Sequence, residues 1–434
     1  VEGDRMRVEP IRCYRPAPDK AATFASLPYD VFDRAQAASY VQRHPGSFLA
    51  IDRPETSFSS DHDMYAPDVY AKAAELLRRA ATDGTLLRDE TPCYYVYRLE
   101  QDGRAQTGVV CAASVDEYLD GTIRRHENTR RDKEQDRVEH IRATGAQTGP
   151  IFLAYRDNFA MDTLVGLAST AEPLYDFTDE EGVHQTVWRV ARPAAVEAMT
   201  ATFATVPCAY IADGHHRAAS AVRVCQEMRQ EAARKAGRAG EKGAAPGAEA
   251  SPAPYDSFLA VMFPASQLKV MAYNRVVTDT AGLAPAQLVE RIGVAGFEVG
   301  PAQDSPAEPS ARHGFGLFVG GAWHAMRFSP EAVASLPADD PVATLDVSIL
   351  QDRVLGPILG IEDPRQDGRI RFVGGIEGPQ ALERLAGADG VAFSLFPTSV
   401  DELMAVSDAG LLMPPKSTWF EPKLRSGLFV RRLR

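Results

Sequence analysis

Ten residues, Ile211 to Ser220, read "IADGHHRAAS", setting an aspartate, a glycine, two histidines and an arginine between an apolar run and a segment of helical periodicity. A helix start presents unpaired backbone N–H groups and about half a positive charge, so an anion placed there is stabilised. Gly214 permits close approach of backbone to ligand, Arg217 supplies a planar fork matched to phosphate oxygens, and His215 and His216 add donors. The turn therefore reads as a phosphate seat with Asp213 at its entrance, rather than as Asp213 capping a solvated helix. Adjacent helical residues diverge by about 100°, so His215 and His216 do not converge on one zinc ion.

A second candidate is "RRHENTRRDKEQDR", Arg124 to Arg137. It reads as a solvated helix with supportive pairs Glu127 to Arg131 and Arg130 to Glu134. Asn128 or Thr129 is expected to cap a start near Arg130, and Gly145 to end it. His126 and Glu127 precede this helix, where side chains can project into a cleft. A carboxylate at Glu127 could serve as general base or hold magnesium. His126-Glu127 is not the start of a H-E-x-x-H zinc motif, because Arg130 stands where the second histidine would be. Neither a G-x-x-x-x-G-K-[ST] loop nor a G-x-S-x-G elbow is present.

The third is "MPPKSTWFEPKLRSGLFV", Met413 to Val430, in which Pro414, Pro415 and Pro422 forbid a continuous helix. Lys416, Ser417, Thr418 and Lys423 could contact an anion. A packed clasp built on Trp419 and Phe420 is the equal alternative.

The elements that must position these groups alternate in type. Val69, Ala73, Leu76 and Leu77 keep helical spacing ahead of Gly84, and "CYYVYRLE" and "TGVVCAASV" flank Asp102-Gly103 as a hairpin. "PIFLAYRD" and "PCAYIA" are strands, and "PAAVEAMTATFATV" is a helix with Pro193 in its first turn. Past the seat, Ala218, Ala221, Val222, Cys225 and Met228 face inward on a helix. Residues 229–256, rich in Ala, Gly, Pro and charge, are expected to form a flexible insertion. Strand character resumes at "SFLAVMF" and "LKVMAYNRVV", and helices and strands alternate to the end. The expected fold is a mixed α/β one, with a catalytic region over 1–280 and a second α/β unit over 281–434.

Composition bounds the function. The chain has 434 residues and net charge -12, which repels a phosphate backbone at long range, so no nucleic-acid partner is expected. No apolar run is long enough to span a bilayer, so no membrane partner is expected either. "VEGDRMRVEP" lacks the pattern of a secretory signal, so a cytoplasmic location is expected, with the natural start upstream of Val1 or at Met6. Cys13, Cys93, Cys111, Cys208 and Cys225 form no C-x-x-C pair and are expected to be reduced and mostly buried.

Taken in order, "LPYDV", "HENT", "IADGHHR", "YNRVV", "LDVSIL" and "MPPKSTWFEPKL" resemble the bacterial and archaeal family called domain of unknown function 1015. The D-G-H-H-R turn is similar to that of the ParB/sulfiredoxin-like fold, which includes partition CTPases, sulfinic acid reductases and free-serine kinases. In sulfiredoxins the turn reads G-C-H-R and in partition proteins G-E-R-R, each placed on nucleotide phosphates. His215 stands where sulfiredoxins carry their reactive cysteine, whereas the serine kinases carry the same D-G-H-H-R string. The resemblance thus implies a ParB/sulfiredoxin-like core with an N-terminal elaboration. It also implies a kinase acting on the hydroxyl of free serine or a similar amino acid, with ATP, ADP or pyrophosphate as donor. Asp213, Gly214, His215, His216 and Arg217, with Lys416 and Ser417, would bind the donor. Mg2+ would sit near Asp213, and Glu127, beside His126, would act on the hydroxyl. The alternatives are a nucleotide-responsive regulatory module without catalysis and a metal-dependent phosphatase.

Overall fold

The computed structural model describes residues 6–240 and 252–433, which fold as two compact units. The first holds the chain up to Leu268 together with Pro422 onward, and the second holds Lys269–Glu421. The division thus falls before Lys269 rather than after residue 280, and the chain's last residues belong to the first unit rather than the second. The return has a local cause. Arg431–Arg432 pairs antiparallel with Ala146–Gln147, and the buried Arg431 guanidinium donates to the Ser257 carbonyl at 2.7 Å.

The first unit is built on one mixed sheet. Its described strands are β1 (Val8–Glu9), β2 (Tyr94–Gln101), β3 (Arg104–Ser114), β4 (Ile123–Arg124), β5 (Ile151–Tyr155), β6 (Tyr175–Thr178), β7 (His184–Val190), β8 (Ala209–Asp213) and β9 (Ser257–Pro264). They lie in the order β4-β8-β5-β9-β3-β2-β7-β6, with β1 beside the end of β3. Neighbours are antiparallel except for β4 with β8 and β5 with β9. The β2–β3 hairpin turns at Asp102 and Gly103, both of positive φ (53° and 74°), as a two-residue turn that follows the strand twist requires.

The longest described helices of this unit are α1 (Pro67–Thr82), α2 (Arg131–Thr144), α3 (Pro193–Phe203) and α4 (His215–Gly240). In α1, Val69, Ala73 and Leu77 are buried, as their spacing predicts. Helix α3 begins with Pro193 at a position that needs no N–H donor. Helix α2 begins at Arg131, not Arg130, and its N-cap Arg130 makes no side-chain cap. Neither Asn128 nor Thr129 occupies the cap position; Thr129 instead donates to Glu134 at 3.0 Å. Glu127 lies ahead of the helix rather than on it, and Arg130 pairs with Asp132 at 2.8 Å. Gly145 ends α2 with φ +62°.

Helix α4 packs Ala218, Ala221, Val222 and Cys225 into the main core, which also contains Val96, Cys111, Leu153, Ile211 and Phe258. Full burial of each larger aliphatic side chain contributes about 1.5–3 kcal/mol. Helices α2 and α4 are joined by Val138, Ile141 and Val224 and by the Arg142–Glu227 ion pair at 2.7 Å. The expected flexible insertion is corrected at both ends. Helix α4 continues to Gly240, since Gln230 to Lys235 are good helix formers with a Glu231–Lys235 pair at 2.6 Å, and Pro254–Asp256 forms a 3-10 turn. Residues 241–251 of that expectation lie outside the described residues.

The second unit carries β10 (Lys269–Met271), β11 (Tyr273–Val277), β12 (Phe297–Val299), β13 (Gly314–Val319), β14 (Ala322–Phe328), β15 (Ile370–Gly374), β16 (Val391–Leu395) and β17 (Trp419–Glu421). Six of these form a sheet in the order β12-β14-β13-β16-β11-β15, and β10 pairs with β17. The glycines of "GFGLFVGG" do lie in a hairpin, with Gly320 and Gly321 turning β13 into β14. The chain is thus a mixed α/β protein. All five cysteines are buried and free. No described helix is long and apolar enough to cross a membrane.

Candidate functional site

Two loops leave the same end of the first unit's sheet. β4 and β8 are parallel neighbours, with Ile123 opposite Ala209 and Arg124 opposite Tyr210. Each runs from its strand's C-terminal end into a helix, β4 through "RHENTR" to α2 and β8 through Gly214 to α4. Parallel pairing therefore places His126 and Glu127 beside the D-G-H-H-R turn, although most of a domain separates them in sequence.

The turn is shaped by Gly214. Its φ of +93° belongs to the left-handed region, and a Cβ there would lie 3.1 Å from the Arg217 guanidinium carbon. Backbone conformation and close packing both demand glycine. Arg217 curls back beneath the turn and donates from Nη1 to the Pro150 carbonyl at 2.5 Å. Its Nη2 lies 3.8 Å from Asp213, and its buried Nε has no hydrogen-bond partner. Burial opposes the guanidinium's charge, but Asp30 and Asp213 more than restore it.

Asp213 is held from two sides. One carboxylate oxygen accepts the Gly214 N–H at 2.8 Å, and the other accepts from Lys423 Nζ at 3.1 Å. Burial opposes its ionisation, yet Lys423 and then Arg217 hold its carboxyl well below the usual range. Asp213 is thus a fixed anion at neutral pH.

The histidines divide the remaining work. His216 Nε2 accepts the Arg130 backbone N–H at 3.0 Å, tying the two loops together. His215 turns the other way and meets the His126 ring edge-on, with centroids 4.5 Å apart. Its Nδ1 lies 4.0 Å from a Glu127 carboxylate oxygen. His126 and His215 are 2% and 5% exposed, whereas the Glu127 side chain is 31% exposed and reachable from solvent. Burial pushes the His126 ring down to about 4, and burial followed by the His126 charge pushes His215 well below the ordinary imidazole value. Both rings are neutral at pH 7. Among the described residues, His126, Glu127 and His215 also bring three potential ligand atoms within 4.8 Å of one another.

The structure therefore gathers Glu127, His126, Asp213, Gly214, His215, His216 and Arg217 into one place. Lys416 and Ser417 belong to the second unit, where Ser417 donates to the Pro414 carbonyl at 2.6 Å and Lys416 Nζ stands 5.8 Å from the Tyr273 ring centre. The cation that reaches Asp213 is Lys423, from the same C-terminal run. The anchoring of Arg217 by the Pro150 carbonyl leaves no trace in the sequence, because no pattern marks a carbonyl as an acceptor.

Asp213 does not fit the part of magnesium ligand in this arrangement. Mg2+ takes oxygen ligands in a near-ideal octahedron. Both carboxylate oxygens of Asp213 are already engaged, and Lys423 and Arg217 place two positive charges where a dication would add two more.

Residues 8–348 match the family described as "Protein of unknown function (DUF1015)". The chain belongs to the DUF1015 family. No curated protein matches it. Among solved structures, SbnI with a C-terminal truncation from Staphylococcus aureus is similar at TM-score 0.37 and 12% identity, covering 74% of this chain and 87% of that one. A free serine kinase in complex with AMP is similar at TM-score 0.33 and 17% identity, covering 72% and 86%. A conserved hypothetical protein from Pyrococcus furiosus is similar at TM-score 0.33 and 17% identity, covering 75% and 95%. Likeness at this level does not extend to function.

Proposed function

We propose that this DUF1015 protein is a small-molecule kinase, moving a phosphoryl group from ATP, ADP or pyrophosphate to the hydroxyl of free serine or a similar amino acid. The observation that carries the reading is the meeting of two loops: a solvent-reachable carboxylate, Glu127, lies 4.0 Å from His215 in the first turn of α4. Phosphoryl transfer asks mainly for positioned oxygens, neutralised charge and a group that orients the nucleophile.

Each requirement has a source in the chain. The first-turn N–H groups of α4 and the positive end of its dipole face an anion, and Arg217 and Lys423 supply the positive field. Asp213, pinned by Lys423, fixes the entrance of the turn. Glu127 accepts the proton of the acceptor hydroxyl as that oxygen bonds to phosphorus, while the bond from phosphorus to the donor's bridging oxygen breaks and the leaving phosphate carries the electron pair. The neutral His126 and His215 rings keep a low-dielectric wall behind the carboxylate without adding charge.

A metal-dependent phosphatase is the second reading, and the cluster of His126, Glu127 and His215 is the observation in its favour. Incubating the full chain with each donor against serine, threonine and homoserine, with phosphorus NMR as readout, separates the possibilities. Phosphoserine or a homologue is the expected product. Phosphate release from phosphoserine without any acceptor would establish the phosphatase, and nucleotide binding with no phosphorylated product under any pairing would establish a regulator.

A further inference from the structure

We infer that His126, Glu127 and His215 form a binding site for one borderline metal ion, Zn2+, Fe2+ or Co2+ in class, rather than for Mg2+. Two imidazoles and a carboxylate make a nitrogen-rich set that suits these ions, whereas Mg2+ takes oxygens. The three ligand atoms lie within 4.8 Å of one another, with His215 Nδ1 and a Glu127 oxygen at 4.0 Å. Tetrahedral ligands 2.0–2.1 Å from an ion stand roughly 3.3 Å apart, so each side chain has about an ångström to close. Glu127 precedes α2 in a loop and is part-exposed, so it is the least constrained of the three.

A further feature fits an ion. His126 is hydrogen-bonded to the Ile211 backbone, the kind of outer contact that fixes the ring of a metal-bound histidine. Three protein ligands leave at least one coordination position for water, a hydroxyl or a phosphate oxygen, the arrangement of a reactive rather than a structural site. His216, next in sequence, is excluded because its Nε2 accepts the Arg130 amide.

Ion binding is measured at equilibrium without substrate, so the site stands or falls apart from the kinase reading. The full chain, stripped with chelator and dialysed, is titrated with Zn2+, Mn2+ and Mg2+ by calorimetry, and with Co2+ while its visible d–d absorption is followed. One ion per chain, with Zn2+ bound at least a hundredfold more tightly than Mg2+ and more tightly than Mn2+, and a Co2+ spectrum of low coordination number, is expected. Equal or weaker binding than Mg2+ in the wild-type chain would overturn the site. Glu127→Gln, a part-exposed isosteric change that leaves folding intact, should weaken Zn2+ by more than the 10–100-fold that outer-shell changes cost. His126→Asn and His215→Asn should do the same, while His216→Asn should leave ion affinity within about twofold. Zn2+ affinity unchanged in Glu127→Gln would place the ion elsewhere and overturn the inference. Phosphotransfer by a chain that binds no transition ion would sink this site and leave the kinase standing, and tight ion binding without transfer would do the reverse.

Discussion

Replacing Lys423 by Met tests the electrostatics of the turn most directly, because it removes one charge and keeps most of the side chain's volume. Lys423 Nζ stands 3.1 Å from Asp213, and the two side chains are 13% and 28% exposed. Breaking a buried pair by removing one partner costs about 3–5 kcal/mol. Here Arg217 remains at 3.8 Å and water reaches part of Asp213, which lowers the expected loss to about 2–3 kcal/mol. The pH dependence carries the sharper prediction. In the native chain the depressed Asp213 carboxyl contributes stability that is present above the ordinary aspartate range and lost only as pH falls through its folded value. Without Lys423, the burial that already opposes ionisation gains ground and the carboxyl rises. The gap between native and variant should therefore be full at pH 7, persist through pH 4, and shrink only as pH falls through the variant's own folded value, becoming distinctly smaller near pH 2. Urea unfolding of the two proteins at these pH values measures it. An equal loss at pH 7 and near pH 2 would show that Lys423 acts through packing, and the charge argument for the turn would fail.

Glu127→Gln should lower turnover by about two to four orders of magnitude, with donor affinity, measured by calorimetry on the chelator-stripped chain, nearly unchanged; undiminished turnover would remove Glu127 from the mechanism. Arg217→Lys keeps the charge but cannot hold both the Pro150 carbonyl and the space under Gly214, so donor affinity should weaken about tenfold or more in the same calorimetric assay. Gly214→Ala must bear a φ of +93° and displace a guanidinium 3.1 Å away, costing about 1–3 kcal/mol in urea unfolding and reducing donor binding in parallel.

The parts of this protein that are legible in its sequence share a short range. The Asp102-Gly103 hairpin, the Pro193 helix start and the Gly145 stop are each decided by residues within one turn of the feature they specify. The start of α2 shows where local signals mislead. Asn128 and Thr129 are good caps, but His216 from the other loop takes the Arg130 amide and Thr129 turns to Glu134, so the helix begins one residue later without a side-chain cap. The near end of the expected insertion departs from its composition for the opposite reason, since helix propensity and a Glu231–Lys235 pair extend α4 without any apolar face to reveal it.

The sequence by itself determined the chemistry available: a glycine turn opening a helix, an arginine three residues on, and a histidine and glutamate ahead of a second helix. It could not say which of two adjacent histidines would serve which purpose. Pairing β4 parallel to β8 decided that, because it set the two loops side by side and gave His215 to His126 and Glu127 while His216 went to the Arg130 amide. Lys423 reaches Asp213 for a similar reason: the C-terminal run returns to the first unit, where Arg431–Arg432 adds to Ala146–Gln147. Residue type is a local property, but convergence depends on strand order and register, and those are fixed only when the whole sheet closes over its core.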